Sequence, residues 1–104
     1  MYVLITHDTD DCGLQGYGMT EIRQVLDNVI FMYHFYGHTG GPFKQVLDYN
    51  GITQSIKIKE LEFDKNGHLP EGCMIILEKN NGQVSIEVID NQIINKLTKQ
   101  NWRI

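Results

Sequence analysis

Apolar residues recur with helical spacing at Ile22, Val25, Leu26, Val29, Ile30 and Tyr33, and from Val29 the pattern turns apolar on nearly every side through Phe31, Met32, Phe35 and Tyr36. The stripe predicts one long amphipathic helix, with Thr20 as its cap, Glu21 at the positive end of its dipole and Gly37 at its close. Such a circumference exceeds what one small sheet can shelter. Its second half is therefore expected under a covering loop or at a surface for another protein.

Around this helix the period changes. Residues 2–6 are apolar and β-branched and predict a central strand, and the stretch from His7 to Gly18, with its aspartates and glycines, predicts a loop. Gly37 to Pro42 reads as a turn. Phe43 to Tyr49 places Phe43, Val46 and Leu47 at helical spacing; a short helix is favoured there over an extended segment. From Ile52 the period is two, and a bulge between Lys59 and Leu61 would bring Ile58, Leu61 and Phe63 to one side. Asp64-Lys65-Asn66-Gly67 is a turn. Asn81-Gly82 predicts a type I′ hairpin that sets Leu77 opposite Ile86 and Ile75 opposite Val88. Asp90 can cap a final short helix packed through Ile93, Ile94 and Leu97, with Trp102 and Ile104 fastening the tail. The expected fold is thus a single α+β domain over residues 1–104. An antiparallel sheet of about four strands packs against one long amphipathic helix, with a short C-terminal helix, in the order β-α-(short α or loop)-β-β-β-α.

An apolar fraction of 41% and a charged fraction of 21% are ordinary for a soluble globular chain. No apolar run approaches a membrane span, and the first residues carry neither a basic start nor a small-residue cleavage signature. The two cysteines, Cys12 and Cys73, match no metal or redox spacing, so reduced thiols and a cytoplasmic location are expected. A net charge of −4 argues against nucleic-acid binding. The imbalance lies entirely in residues 1–50, where six acids meet two bases, Arg23 and Lys44.

Several segments carry candidate chemistry. His7, Asp8 and Asp10 leave the first strand together and offer oxygen and imidazole ligands for a divalent ion, but without the ligand alternation of a calcium loop. His34 and His38 stand four apart, a zinc-pair spacing only on an unbroken helix. Gly37-His38-Thr39-Gly40-Gly41-Pro42-Phe43-Lys44 has the glycines of a phosphate loop without its strand or its Gly-Lys-Ser/Thr ending. Ser55 and Ser85 fall in expected strands, and Cys12 with His7 or His38 is the remaining nucleophile–base combination. None of these amounts to a catalytic constellation or a cofactor site.

The leading expectation is a protein-binding domain, such as an immunity or inhibitor protein that covers a basic toxin or a nucleic-acid-processing enzyme. Asp8, Asp10 and Asp11 would meet the partner's cations and speed encounter, while Tyr17, Phe31, Phe35 and Tyr36 would form the apolar centre. Two alternatives stand beside it: a metal-dependent or ligand-binding domain that uses the loop after the first strand with the 37–44 turn, and a homodimer joined through the helix.

Overall fold

The computed structural model describes residues 2–10, 18–37, 39, 41–89, 94, 96 and 98–100. The chain separates into two compact units, Met1–Ile58 and Lys59–Ile104.

In the first unit, strand β1 (Val3–Ile5) leads through the loop to helix α1 (Thr20–Asn28) and back to strand β2 (Tyr33–Tyr36); strands β3 (Lys44–Leu47) and β4 (Gln54–Lys57) follow. The sheet order is β1-β2-β4-β3. β2 runs parallel to both neighbours, with Val3 beside Tyr33 and Tyr33 beside Gln54, and β3 closes one edge antiparallel to β4.

This corrects the expected fold. The chain has six strands in two sheets, four and two, with α1 its sole helix of seven or more residues among those described. The helix stops at Asn28, eight residues short of Tyr36: Val29 is already extended (φ −125°, ψ 134°) while its amide still closes on the Val25 carbonyl. β-Branched and aromatic residues from Val29 onward suit a pleated backbone better than a helical one. A parallel strand paired on both edges and covered on its faces reads as a continuous apolar run, which in one dimension mimics a buried helix. Thr20 is helical, and the capping position falls on Met19, which makes no side-chain cap. Residues 44–47 form strand β3 where a short helix was favoured, and β1 pairs only with β2 among the described strands, so it is an edge strand.

Alternation decides the two faces of this sheet. Leu4, His34, Ser55 and Val46 lie in one row across the strands, with Tyr36, Lys57 and Lys44 in the next row of the same face. Phe35 and Ile56 point to the other face and are buried. Helix α1 stands over the first face, with Ile22 and Leu26 as its buried residues. The β3–β4 turn is tied to that helix. The Asn50 amide donates to the Leu26 carbonyl (3.3 Å) and to Thr53 Oγ1 (2.9 Å), and the fully buried Thr53 hydroxyl donates to the Phe31 carbonyl (2.6 Å).

In the second unit, strands β5 (Ile75–Asn80) and β6 (Gln83–Val88) form a two-stranded antiparallel sheet. Leu77 pairs with Ile86 and Ile75 with Val88, the expected register. Asn81 and Gly82 both have positive φ, 52° and 80°, the type I′ requirement. The Asp64–Gly67 turn also forms, with Asp64 Oδ1 accepting from the amides of Asn66 (2.8 Å) and His68 (2.9 Å). No strand spans Lys59 to Phe63, so the expected bulge is absent there and Leu61 is exposed. Of the expected terminal helix, Asp90, Ile93 and Leu97 lie outside the described residues, as do Trp102 and Ile104, while Ile94 is fully buried.

Candidate functional site

Beside helix α1, the first sheet leaves part of its face uncovered. A cleft of about 530 Å³ opens there, lined by Thr9 and Asp10 from the loop after β1, Thr39 and Lys44 from the segment after β2, and His34, Tyr36, Ser55 and Lys57 from the central strands. Tyr36 and Lys57 end β2 and β4, two parallel strands. A crevice at the carboxyl ends of parallel strands is where open sheets of this kind receive ligands, an analogy of position rather than of chemistry.

Charge within the first unit is sharply sorted. Arg23 gathers the acids: its guanidinium reaches Asp48 at 2.7 Å through each of two nitrogens, Asp10 at 3.2 Å and Asp27 at 3.0 Å. The hydrogen bonds to Asp48 hold the arginine firmly charged, and the same bonds push the Asp48 carboxyl below its ordinary range. Asp10 is further engaged by the Thr9 hydroxyl (3.1 Å). The acids at this end of the cleft, Asp10 and Asp48, are therefore hydrogen-bonded to one shared cation, which offsets part of their charge.

The lysines are placed differently. Lys44 and Lys57 are direct cross-strand partners on one face, and both line the cleft. The three ion pairs among the described residues all belong to Arg23, so neither ammonium has an acid within salt-bridge distance among those residues. Like charges directly opposite on a strand pair repel each other. Gly41, at φ +76°, lets the chain pass close to this point: a β-carbon there would stand 3.0 Å from Lys57 Nζ.

Next along the same face stand His34 and Ser55, paired in register. The His34 ring is buried, with Nε2 2.8 Å from Thr6 Oγ1, and the Thr6 hydroxyl donates in turn to the Asp8 carbonyl. Burial is the main reason that the imidazole's pKa lies below its usual value, with nearby Asp10 and Asp48 opposing the shift. The ring leans on Tyr36, with centroids 5.3 Å apart.

The residues expected to meet a partner are distributed differently from that expectation. Asp8 closes its own loop, its carboxylate accepting from the amides of Thr9 (2.8 Å) and Gly18 (2.9 Å), and Asp10 is held by Arg23. Phe35 is buried, Phe31 is half-buried and Tyr36 lines the cleft, while Asp11 and Tyr17 lie outside the described residues, as do Cys12 and His38. His7 is exposed; no group of three or more metal-ligating side chains assembles among the described residues. The structure does bring together the two segments singled out for a ligand-binding alternative, through Thr9, Asp10, Thr39 and Lys44. His34, Ser55 and Lys57 were not expected at one site. For Ser55 and Lys57 the signal was their alternation with Ile56 and Ile58, which marks a strand with one polar face; nothing local singled out His34 as their neighbour.

No helix among the described residues is long and apolar enough to cross a membrane. No protein-family profile, curated protein or solved structure matches this chain.

Proposed function

We propose that the Met1–Ile58 unit binds a small anionic ligand, carrying a phosphate or carboxylate group, in the cleft between helix α1 and the β2–β4–β3 face. The observation that carries this reading is the Lys44–Lys57 pair: two ammonium groups on directly opposed residues, without acid partners among the described residues, in a concavity also lined by Thr39 and Ser55. An anion between them turns a repulsive pair into two charge-assisted hydrogen bonds. Asp10 and Asp48, which also line the cleft, are hydrogen-bonded to Arg23 rather than to either lysine.

The test is calorimetric titration of the purified protein with inorganic phosphate at low ionic strength. Binding with a stoichiometry near one is expected, and Lys57→Met or Lys44→Met should each weaken it by about tenfold or more. Absence of phosphate binding, or an affinity in both variants unchanged from the unmodified protein, overturns the reading. The protein-docking reading, with an immunity or inhibitor role, loses the long helix but keeps the acidity of the first half and exposed apolar residues such as Ile5, Ile30, Leu47 and Tyr49 in its favour.

A further inference from the structure

Resting on the anion-cleft reading, we infer that the ligand presents a hydrogen-bond donor beside its anionic oxygens, accepted by His34 Nδ1, so that the cleft takes a proton-bearing oxyanion such as phosphate and refuses a proton-free one such as sulfate. The argument begins at Thr6. Its hydroxyl carries one proton, and that proton is directed to the Asp8 carbonyl. What Thr6 Oγ1 offers His34 is therefore a lone pair, and Nε2, 2.8 Å away, must carry the ring proton. In the neutral ring the other nitrogen, Nδ1, is then an acceptor only.

Among the described residues nothing uses that acceptor. Nε2 makes the ring's one hydrogen bond among the described residues, and no fully buried polar side-chain atom among them is left without a partner, so Nδ1 holds part of the 1% of His34 that remains accessible, on the cleft that the residue lines. It is held at a short and defined remove from the lysines. His34 pairs with Ser55 and Tyr36 with Lys57, so acceptor and cation are two residues apart on one sheet face, a backbone separation of about 7 Å that a lysine stem spans. The Ser55 hydroxyl stands between them in the same face and can donate or accept toward either.

An anion seated against the lysines therefore meets a fixed lone pair on its other side. At neutral pH, phosphate and its monoesters differ here: inorganic phosphate always keeps a P–OH to donate, and an organic phosphate or carboxylate must supply a neighbouring hydroxyl or N–H. Sulfate, with the same shape, has only lone pairs. Set against Nδ1 it leaves two acceptors facing each other away from bulk water, the arrangement by which polar sites reject close analogues.

The experiment compares sodium phosphate with sodium sulfate on the intact protein by calorimetric titration at about pH 7 and matched ionic strength. Phosphate should bind at least about tenfold more tightly. His34→Gln, whose amide can turn a donor toward the ligand, should bring the two affinities together while Lys57→Met weakens both. The tautomer is read separately, on the unmodified protein, by long-range ¹⁵N NMR of the His34 ring. Equal affinities, a sulfate preference, or a ring protonated at Nδ1 instead of Nε2 overturns the inference while leaving the anion cleft standing. Failure of both anions to bind overturns the cleft and this inference together.

Discussion

Arg23 and Asp48 meet fork to fork, Nη1 donating to Oδ1 and Nη2 to Oδ2, each at 2.7 Å. One residue is in the middle of helix α1, the other directly follows β3, so the pair fastens the helix to the sheet edge that bounds the cleft. The Asp48 side chain is only 7% exposed. A carboxylate in that position depends on its cation, because breaking one partner of a shielded pair strands the other.

Arg23→Met should therefore destabilise the protein by about 2 kcal/mol or more, read as a lower urea midpoint at unchanged slope. Asp48→Asn, which keeps the shape and part of the hydrogen bonding, should cost less. A midpoint unmoved by Arg23→Met would show that solvent already screens the pair.

The same pair predicts a pH dependence. Asp48 has a lower pKa folded than its ordinary carboxylate value, so its stabilisation is complete above about pH 4 and is lost as pH falls toward the folded pKa. The stability gap between the unmodified protein and Asp48→Asn should hold constant from about pH 7 to pH 5 and shrink below about pH 4. A gap that stays constant in stronger acid would contradict the assignment.

His34 gives the opposite end of the range. Its folded pKa is depressed, so above the ordinary histidine value of about 6.5 both folded and unfolded rings are neutral and it adds no slope. Below that value the unfolded ring takes a proton first, and folding stability falls until the folded pKa is passed. Thermal unfolding of the protein should therefore weaken from about pH 7 to pH 5 more steeply than that of His34→Gln. Parallel profiles would remove His34 as the cause.

Thr53 tests the turn that shapes the cleft's edge. Its hydroxyl donates to the Phe31 carbonyl and accepts from Asn50, in a residue with no exposed surface. Thr53→Val preserves volume, removes the hydroxyl that donates to the Phe31 carbonyl and leaves the Asn50 amide only its Leu26 acceptor, at an expected cost of about 2 kcal/mol, whereas Thr53→Ser retains most of the stability. Equal losses in both variants would point to the methyl group instead.

At the β5–β6 turn, Gly82 has φ +80° and open space where a β-carbon would stand. Gly82→Ala should cost about 1 kcal/mol from backbone conformation alone, seen as faster amide exchange across the hairpin. Unchanged exchange would mean that the turn readily adopts another type.

The hairpin and the long helical segment show what can be read in one dimension. Asn81-Gly82 between alternating apolar residues specifies its own register, because turn geometry and the period of two act over neighbouring residues. The Ile22 and Leu26 stripe of α1 was legible for the same reason, with its start displaced by one residue because Met19, not Thr20, takes the capping position. The loop after β1 and the 37–44 turn stood out by composition, and both contribute to the cleft.

Residues 29–36 were decided elsewhere. An apolar run of that length suits a buried helix and a central parallel strand alike; what selects the strand is the hydrogen bonding that β1 and β4, from far apart in the chain, supply to both of its edges. The site follows the same division. Local sequence established the helix, the turns and the excess of acid in the first half, whereas the pairing of distant strands alone set Lys44 against Lys57 and His34 beside Ser55. Backbone ladders are generic in sequence and specific only in register, so the chemistry they assemble appears when the sheet does.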